Sequence, residues 1–488
     1  MRPSGSTYSQ AARRSIKPRP PARSRSRATE APSIVSIVPA LVRRHFSPRK
    51  ESFVLELTRS ADLWRRATAV LAGGVDSPVR AGKPVGGPII VREAAGAYVV
   101  DADGRRLLDY LMAYGPLLLG HAHPALTRGL DEAAARGTLY GCTHEEEVRL
   151  AERLRAHMPS LERIRFTNSG TESVMSAIRV ARGFTGREAI LRFAGNYHGH
   201  FDQALLNAGA SAGAAGAGPS GIPSGVARDT IVCRYNDLDD VDAALREHGS
   251  RLAAIVVEPV VGNMGLVHPL PGFLEGLSER TQRCGALLIF DEVITAFRLG
   301  MGGAQGRCGV IPDLTTLGKV LGGGYPLAAF GGRADVMRVL APEGTVFQGG
   351  TLSGNPFCVA LAHRLLDVLE GDPEMLPRMR ALGERLAAGL REVLGELELR
   401  YPVVHDESIV DFMFRVADRP HRDYDQAREG DGTAYGTFYR EMLSEGVLLA
   451  PSQNEVMFLS SAHAAADVDL TVRAARASLT RMRARGEI

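Results

Sequence analysis

Residues 286–293 read ALLIFDEV, and further along Lys319 stands in TLGKVLGGG (316–324). An apolar run rich in Leu, Ile and Phe predicts a strand buried on both faces, as in a parallel sheet. Asp291 and Glu292 then fall at its carboxyl end, where open α/β sheets hold their ligands. A carboxylate there, with a glycine-flanked lysine beyond it, matches what pyridoxal 5′-phosphate (PLP) requires. The lysine attaches the cofactor as a Schiff base, and the carboxylate keeps the pyridine nitrogen protonated so that the ring can accept electrons. The pair is equally compatible with a buried strand ending in two solvated acids and an unrelated surface lysine.

Working outward, helical patterns alternate with short apolar runs from Pro124 onward: RIRFTN (163–168), AILRFAG (189–195), TIVCRY (230–235), AAIVVEP (253–259), ALLIFDEV and PLAAFGG (326–332). That alternation predicts βαβ units and a central, mostly parallel sheet over 124–345. Before it, 58–123 reads as an N-terminal segment. There TRSADLWRRATAVLAGG (58–74) predicts a helix stopped by Gly73 and Gly74, and YVVDADGRRLLDYL (98–111) a hairpin about a DG turn. After it, long amphipathic stretches at 356–371 and 375–397 and strands near 409–416 and 455–460 predict a smaller α+β C-terminal domain over 346–488. The fold class is therefore α/β with a small α+β partner.

Composition narrows the function. With 45% hydrophobic and 23% charged residues the chain is of ordinary globular make-up. No apolar run reaches the roughly 20 residues of a membrane-spanning helix. Five scattered cysteines without CxxC spacing argue against disulfides and zinc and for a reducing compartment, hence a cytoplasmic location. Residues 1–60 carry 13 Lys/Arg against three acids, whereas residues 61–488 carry 45 against 52. The body is mildly acidic, which speaks against a nucleic-acid partner. The Arg/Ser/Pro-rich leader 1–57 is expected to be disordered and functionally silent; organelle import is its alternative role. The Gly-rich stretch 208–225 reads either as a passive linker or, following NYHGH, as an active-site lid.

Two segments extend the chemistry. FTNSGTES (166–173) runs from a strand into a helix, so Ser169, Gly170 and Thr171 would offer N–H groups and hydroxyls to a phosphate, or simply cap the helix. FAGNYHGHFD (193–202) places Tyr197 after a strand end, where its ring could stack on a flat cofactor. His198 and His200, read as an HxH pair on a strand, lack a third ligand nearby, so no metal is expected.

The ordered set NSGTES, NYHGH, EPVVGN, DEVITAFR, TLGKVLGGGYP and QGGTLSGNP resembles the class III, fold-type I PLP-dependent aminotransferases. More narrowly, GGVDSPVRA, GPLLLGHAHP, EPVVGNMG, GGTLSGNP and LAPSQNE resemble the glutamate-1-semialdehyde 2,1-aminomutase branch, from about residue 58 to the C-terminus. The resemblance implies a homodimeric enzyme that moves an amino group within an amino-aldehyde to give 5-aminolevulinate, a tetrapyrrole precursor. It implies that Lys319 carries the cofactor and shuttles protons, and that Asp291 pairs with the pyridine nitrogen. Gly170 and Thr171 would bind phosphate, joined by Thr351 from the neighbouring subunit; Asn263 would approach the phenolic oxygen. Ser77 and Arg80 would hold the substrate carboxylate, with Glu455 near the reacting centre. The chain departs from the branch at Ala113-Tyr114 (Ser-Trp in the branch), Cys142, Ile409–Phe414 and Asn454. The alternative on the same scaffold is an intermolecular aminotransferase for a β- or ω-amino acid.

Overall fold

The structure, a computed structural model, describes residues 58–206, 208 and 221–488. The leader 1–57 and most of the Gly-rich stretch expected as a lid lie outside these residues. Fourteen strands are named along the described chain. They are β1 (Val91–Ala95), β2 (Tyr98–Asp101), β3 (Arg106–Asp109), β4 (Arg163–Thr167), β5 (Ala189–Phe193), β6 (Thr230–Cys233) and β7 (Leu252–Val257), then β8 (Leu287–Asp291), β9 (Leu314–Leu317), β10 (Ala328–Gly332), β11 (Val403–Asp406), β12 (Ile409–Phe412), β13 (Val447–Leu448) and β14 (Met457–Phe458). Seven helices matter below: α1 (Thr58–Val70), α2 (Glu145–His157), α3 (Gly170–Thr185), α4 (Pro356–Gly371), α5 (Met375–Glu396), α6 (Gly432–Ser444) and α7 (Ala465–Ala484).

The central sheet has the order β4-β10-β9-β8-β7-β5-β6. Pairs from β9 through β6 are parallel, and β10 runs antiparallel to both its neighbours. Each apolar run is buried because its two faces serve two cores, with side chains alternating at period 2. Leu288 and Phe290 of β8 pack with Leu191, Phe193, Val257, Phe273 and Leu277. Leu287 and Ile289 point the other way, against Val174, Ala177, Ile178 and Ala181 of α3. The result is a three-layer α/β/α body.

The chain ends meet in a second core. β1, β2 and β3 form one sheet with β13, which lies parallel to β3, while β11, β12 and β14 form a three-stranded sheet. Val99, Leu107 and Leu108 share a cluster with Leu386, Leu390, Phe412, Phe438, Leu448 and Leu479. Helix α4, although it follows residue 346, packs with Leu150, Phe166, Leu317 and Val320 beside the central sheet. A division drawn by packing therefore falls within α5, whose Met375 and Met379 join the α4 cluster and whose Leu386 and Leu390 join the other. The DG turn of the β2–β3 hairpin also anchors the first helix. Asp103 Oδ1 accepts the N–H groups of Arg59 and Ser60 (both 3.1 Å), capping the otherwise unpaired first turn of α1. Among the described residues, no helix is long and apolar enough to cross a membrane.

Candidate active site

The chain leaves β4, β5, β7, β8 and β9 at their carboxyl ends and enters one cavity of about 190 Å³. Its walls are Ser169, Gly170, Thr171, Tyr197, His198, Glu258, Asn263, Asp291, Val293 and Lys319. Five separate strand ends thus deliver the groups, as the geometry of an open α/β sheet requires.

Asp291 ends β8 and is buried. Its Oδ1 accepts from Val293 N–H (3.1 Å) and the Thr316 hydroxyl (3.2 Å), and its Oδ2 accepts from His198 Nδ1 (2.7 Å). Burial holds the His198 imidazole below the ordinary histidine range, against the pull of Asp291. A neutral ring therefore braces the carboxylate, and among the described residues its buried Nε2 has no partner. The HxH segment is not a strand: His200 is exposed and reaches Thr171 Oγ1 (3.3 Å) while His198 turns inward. Among the described residues, no cluster of three or more potential ligands could hold a metal ion. Glu292, expected beside Asp291 at the ligand side, points away. It accepts from Thr295 Oγ1 (2.6 Å), Ala304 N–H (2.7 Å) and Gln305 N–H (2.9 Å), because successive strand residues face opposite ways.

Ser169 caps α3, its Oγ accepting from Glu172 N–H (3.3 Å), while Gly170 and Thr171 face the cavity from the same helix start. The capping and anion-binding readings of this segment are compatible in one geometry. Two glycines keep the cradle open. A Cβ on Gly170 would lie 3.1 Å from Val293 Cγ1, and one on Gly199, whose φ is +100°, would strike Thr171 Oγ1 at 2.5 Å.

Lys319 follows β9 with φ 42°, in the left-handed region that a non-glycine residue occupies only when its surroundings enforce it. Burial holds its ammonium below the ordinary lysine range; Glu455, Glu258 and Asp291 oppose that shift and Arg298 adds to it. Glu258 is buried, and desolvation with the nearby Asp291 charge pushes its carboxyl up. It accepts from Tyr197 N–H (2.7 Å), Gly262 N–H (3.2 Å) and Asn263 Nδ2 (2.9 Å), so one side chain fixes the backbone of Tyr197 and the amide of Asn263.

Tyr114 lies in a strained turn outside the cavity wall. Met112, Ala113 and Tyr114 have φ of 44°, 54° and 67°, three consecutive residues in the left-handed region at about 1–3 kcal/mol each. Asp109 Oδ1 holds the turn by accepting from Leu111 N–H (2.7 Å) and Met112 N–H (3.1 Å). Burial pushes the Tyr114 phenol up, Glu455 pushes it further, and Arg80 draws it down. Glu455 is buried and also acts on Lys319 and Tyr197. Ser77 and the exposed Arg80 lie outside the cavity wall, as does Thr351, exposed in the turn before α4. Sequence reasoning assigned no role to Glu258 or Arg298, although both stand inside quoted motifs, and it considered His198 only for metal.

The donors present suit PLP: a helix start with hydroxyls for a phosphate, a buried carboxylate braced by a neutral histidine, and a lysine whose burial favours the free amine. The aminotransferase class III family model matches residues 81–467, and the chain belongs to that family, whose members are PLP enzymes. Glutamate-1-semialdehyde 2,1-aminomutase of Thermomicrobium roseum is 47% identical over 432 residues, which cover 88% of this chain and all of the relative. The crystal structure of an omega-transaminase from Sphaerobacter thermophilus superposes with a TM-score of 0.80 at 34% identity, covering 87% of this chain and 97% of that one. A glutamate-1-semialdehyde-aminomutase from Pseudomonas aeruginosa PAO1 in complex with PMP gives 0.77 at 29% identity, with 86% and 94% covered.

Proposed function

We propose that this enzyme converts glutamate-1-semialdehyde to 5-aminolevulinate by moving the amino group within the substrate. The observation that carries the reading is the buried acid Glu455, which acts both on the Lys319 amine and on Tyr114, the phenol on which Arg80 also acts. The near-full-length relatives that bear the aminomutase name support it. Bound in the cavity, PLP supplies an aldehyde that carries the amine and a ring that takes up the electron pair released beside nitrogen.

The protein's own groups do the rest. The Lys319 amine takes a proton from the carbon bearing nitrogen and returns it elsewhere, which requires the neutral form favoured by burial. Asp291, braced by His198, would hold the positive charge of the bound group. Gly170 and Thr171 would hold its phosphate, and Tyr197, also on the cavity wall, would stack on its ring. Arg80, with Ser77, binds the substrate carboxylate as a planar fork. Thr351, exposed outside its own cavity, is assigned to the phosphate site of a second copy, making the enzyme a homodimer. An active monomer by light scattering would contradict that assignment. A cytoplasmic location accords with this chemistry.

The departures at Tyr114 and Asn454 favour one second reading, intermolecular transfer from a β- or ω-amino acid. Incubating the PLP-loaded protein with glutamate-1-semialdehyde and no amino donor separates the two. Aminolevulinate should form. Its absence, together with nitrogen transfer from a β-amino acid to a keto acid, would establish the second reading.

A further inference from the structure

We propose that Arg298 is a positioning residue of the amino-transfer centre: its one buried guanidinium ties three chain segments together around Lys319 and holds a positive charge beside that lysine. Arg298 is only 1% exposed. Its Nη1 donates to Ser408 Oγ (2.8 Å) and the Leu459 carbonyl (3.0 Å), and its Nη2 to the Gly115 carbonyl (2.7 Å). Its Cζ lies over the Phe458 ring, 4.9 Å from the centroid. Among the described residues no carboxylate contacts it, and its Nε has no partner. A buried charge without a counter-ion is costly, so the fold retains this one against a standing penalty.

What the three anchors secure explains the retention. Gly115 closes the left-handed turn of Met112–Tyr114, and a Cβ on Gly115 would lie 3.6 Å from Lys319 Cδ. The turn therefore abuts the lysine. Such a backbone persists only where both ends are held; Asp109 holds its start and Arg298 its finish. Ser408 precedes β12 and Leu459 follows β14, so the same fork fixes the small sheet against that turn. The Arg298 charge also acts with burial in holding the Lys319 ammonium down. A lysine at this position would keep the charge but could not reach three acceptors in one plane.

The inference rests on the amino-transfer reading, but its main readout is independent of which substrate is used. PLP-loaded wild type, Arg298→Met and Arg298→Lys are titrated by the visible absorbance of the bound cofactor. Turnover is followed with whichever substrate of the preceding section the wild type accepts. Arg298→Met should move the spectroscopic midpoint upward by about one pH unit and lower kcat about tenfold or more, since a cation near the titrating nitrogen is lost. Arg298→Lys should leave the midpoint in place and still lose kcat. A folded Arg298→Met with wild-type midpoint and kcat overturns the proposal. So does a loss of kcat that tracks a lowered apoenzyme melting temperature without any midpoint shift, the mark of a purely structural brace. Should Arg298→Met not fold, Arg298→Lys and Ser408→Ala decide: reduced kcat at unchanged apoenzyme melting temperature supports the proposal, and wild-type kcat in both overturns it. A wild type that transfers nitrogen only between separate molecules would revise the substrate and leave these shifts as expected.

Discussion

Arg80 is exposed where Lys319 is partly buried, and that difference governs what each substitution does. Arg80 is exposed and feels Tyr114, so its attraction for a substrate carboxylate is partly screened by water. Arg80→Ala should raise KM about tenfold, roughly 1.4 kcal/mol, and leave kcat nearly unchanged, because the interaction is the same in ground and transition states. Steady-state kinetics with glutamate-1-semialdehyde check this, and a fall in kcat at constant KM would remove Arg80 from substrate binding. Asp291 and Lys319 were legible in the sequence because a buried strand and a glycine-rich loop announce their settings. His198, Glu258 and Arg298 were not. Each is a single polar residue whose meaning depends on a sheet order that brings His198 against Asp291 from 93 positions away.

At the scale of elements, the strands of the central sheet could be read from their continuous apolar runs, since both faces are covered. The reversed direction of β10 could not, because an apolar run carries no polarity. Nor could the allegiance of α4 to the central body, since an amphipathic helix states that one face is buried and not against what. The start of α3 offers a sharper test. Gly199 lies at φ +100° against Thr171, so Gly199→Ala introduces both backbone strain and a clash at the helix start. It should cost about 1–3 kcal/mol and loosen PLP at least about tenfold. Calorimetry and cofactor titration measure the two effects, and unchanged PLP affinity would separate this helix start from the phosphate.

At the scale of the whole molecule, stability should fall in mild acid through His463. Its ring is buried near Tyr110, and its Nδ1 accepts from Ser460 N–H (3.0 Å). Burial lowers its pKa to about 4. The unfolded chain, with an ordinary histidine near 6.5, binds the extra proton first, so stability rises with pH across the window between about 4 and 6.5. The contribution is full above 6.5 and lost as pH falls toward 4, up to about 3 kcal/mol. Melting temperatures of wild type and His463→Gln should converge as the pH is lowered through that window; a constant gap would mean that His463 does not set the acid limit.

The reversal of β10 has a kinetic meaning. The chain passes Lys319 between β9 and β10, two adjacent hydrogen-bonded strands of the central sheet, so its backbone is tethered on both sides to that sheet. The local concentration of its amine at the reacting carbon is then far beyond what a dissolved base can reach, since well-oriented intramolecular groups attain effective molarities on the order of 10⁵ M or more. Adding methylamine to a Lys319→Ala variant should therefore restore proton transfer in proportion to amine concentration without saturating. At about 0.1 M it should recover less than about one part in a thousand of the wild-type rate.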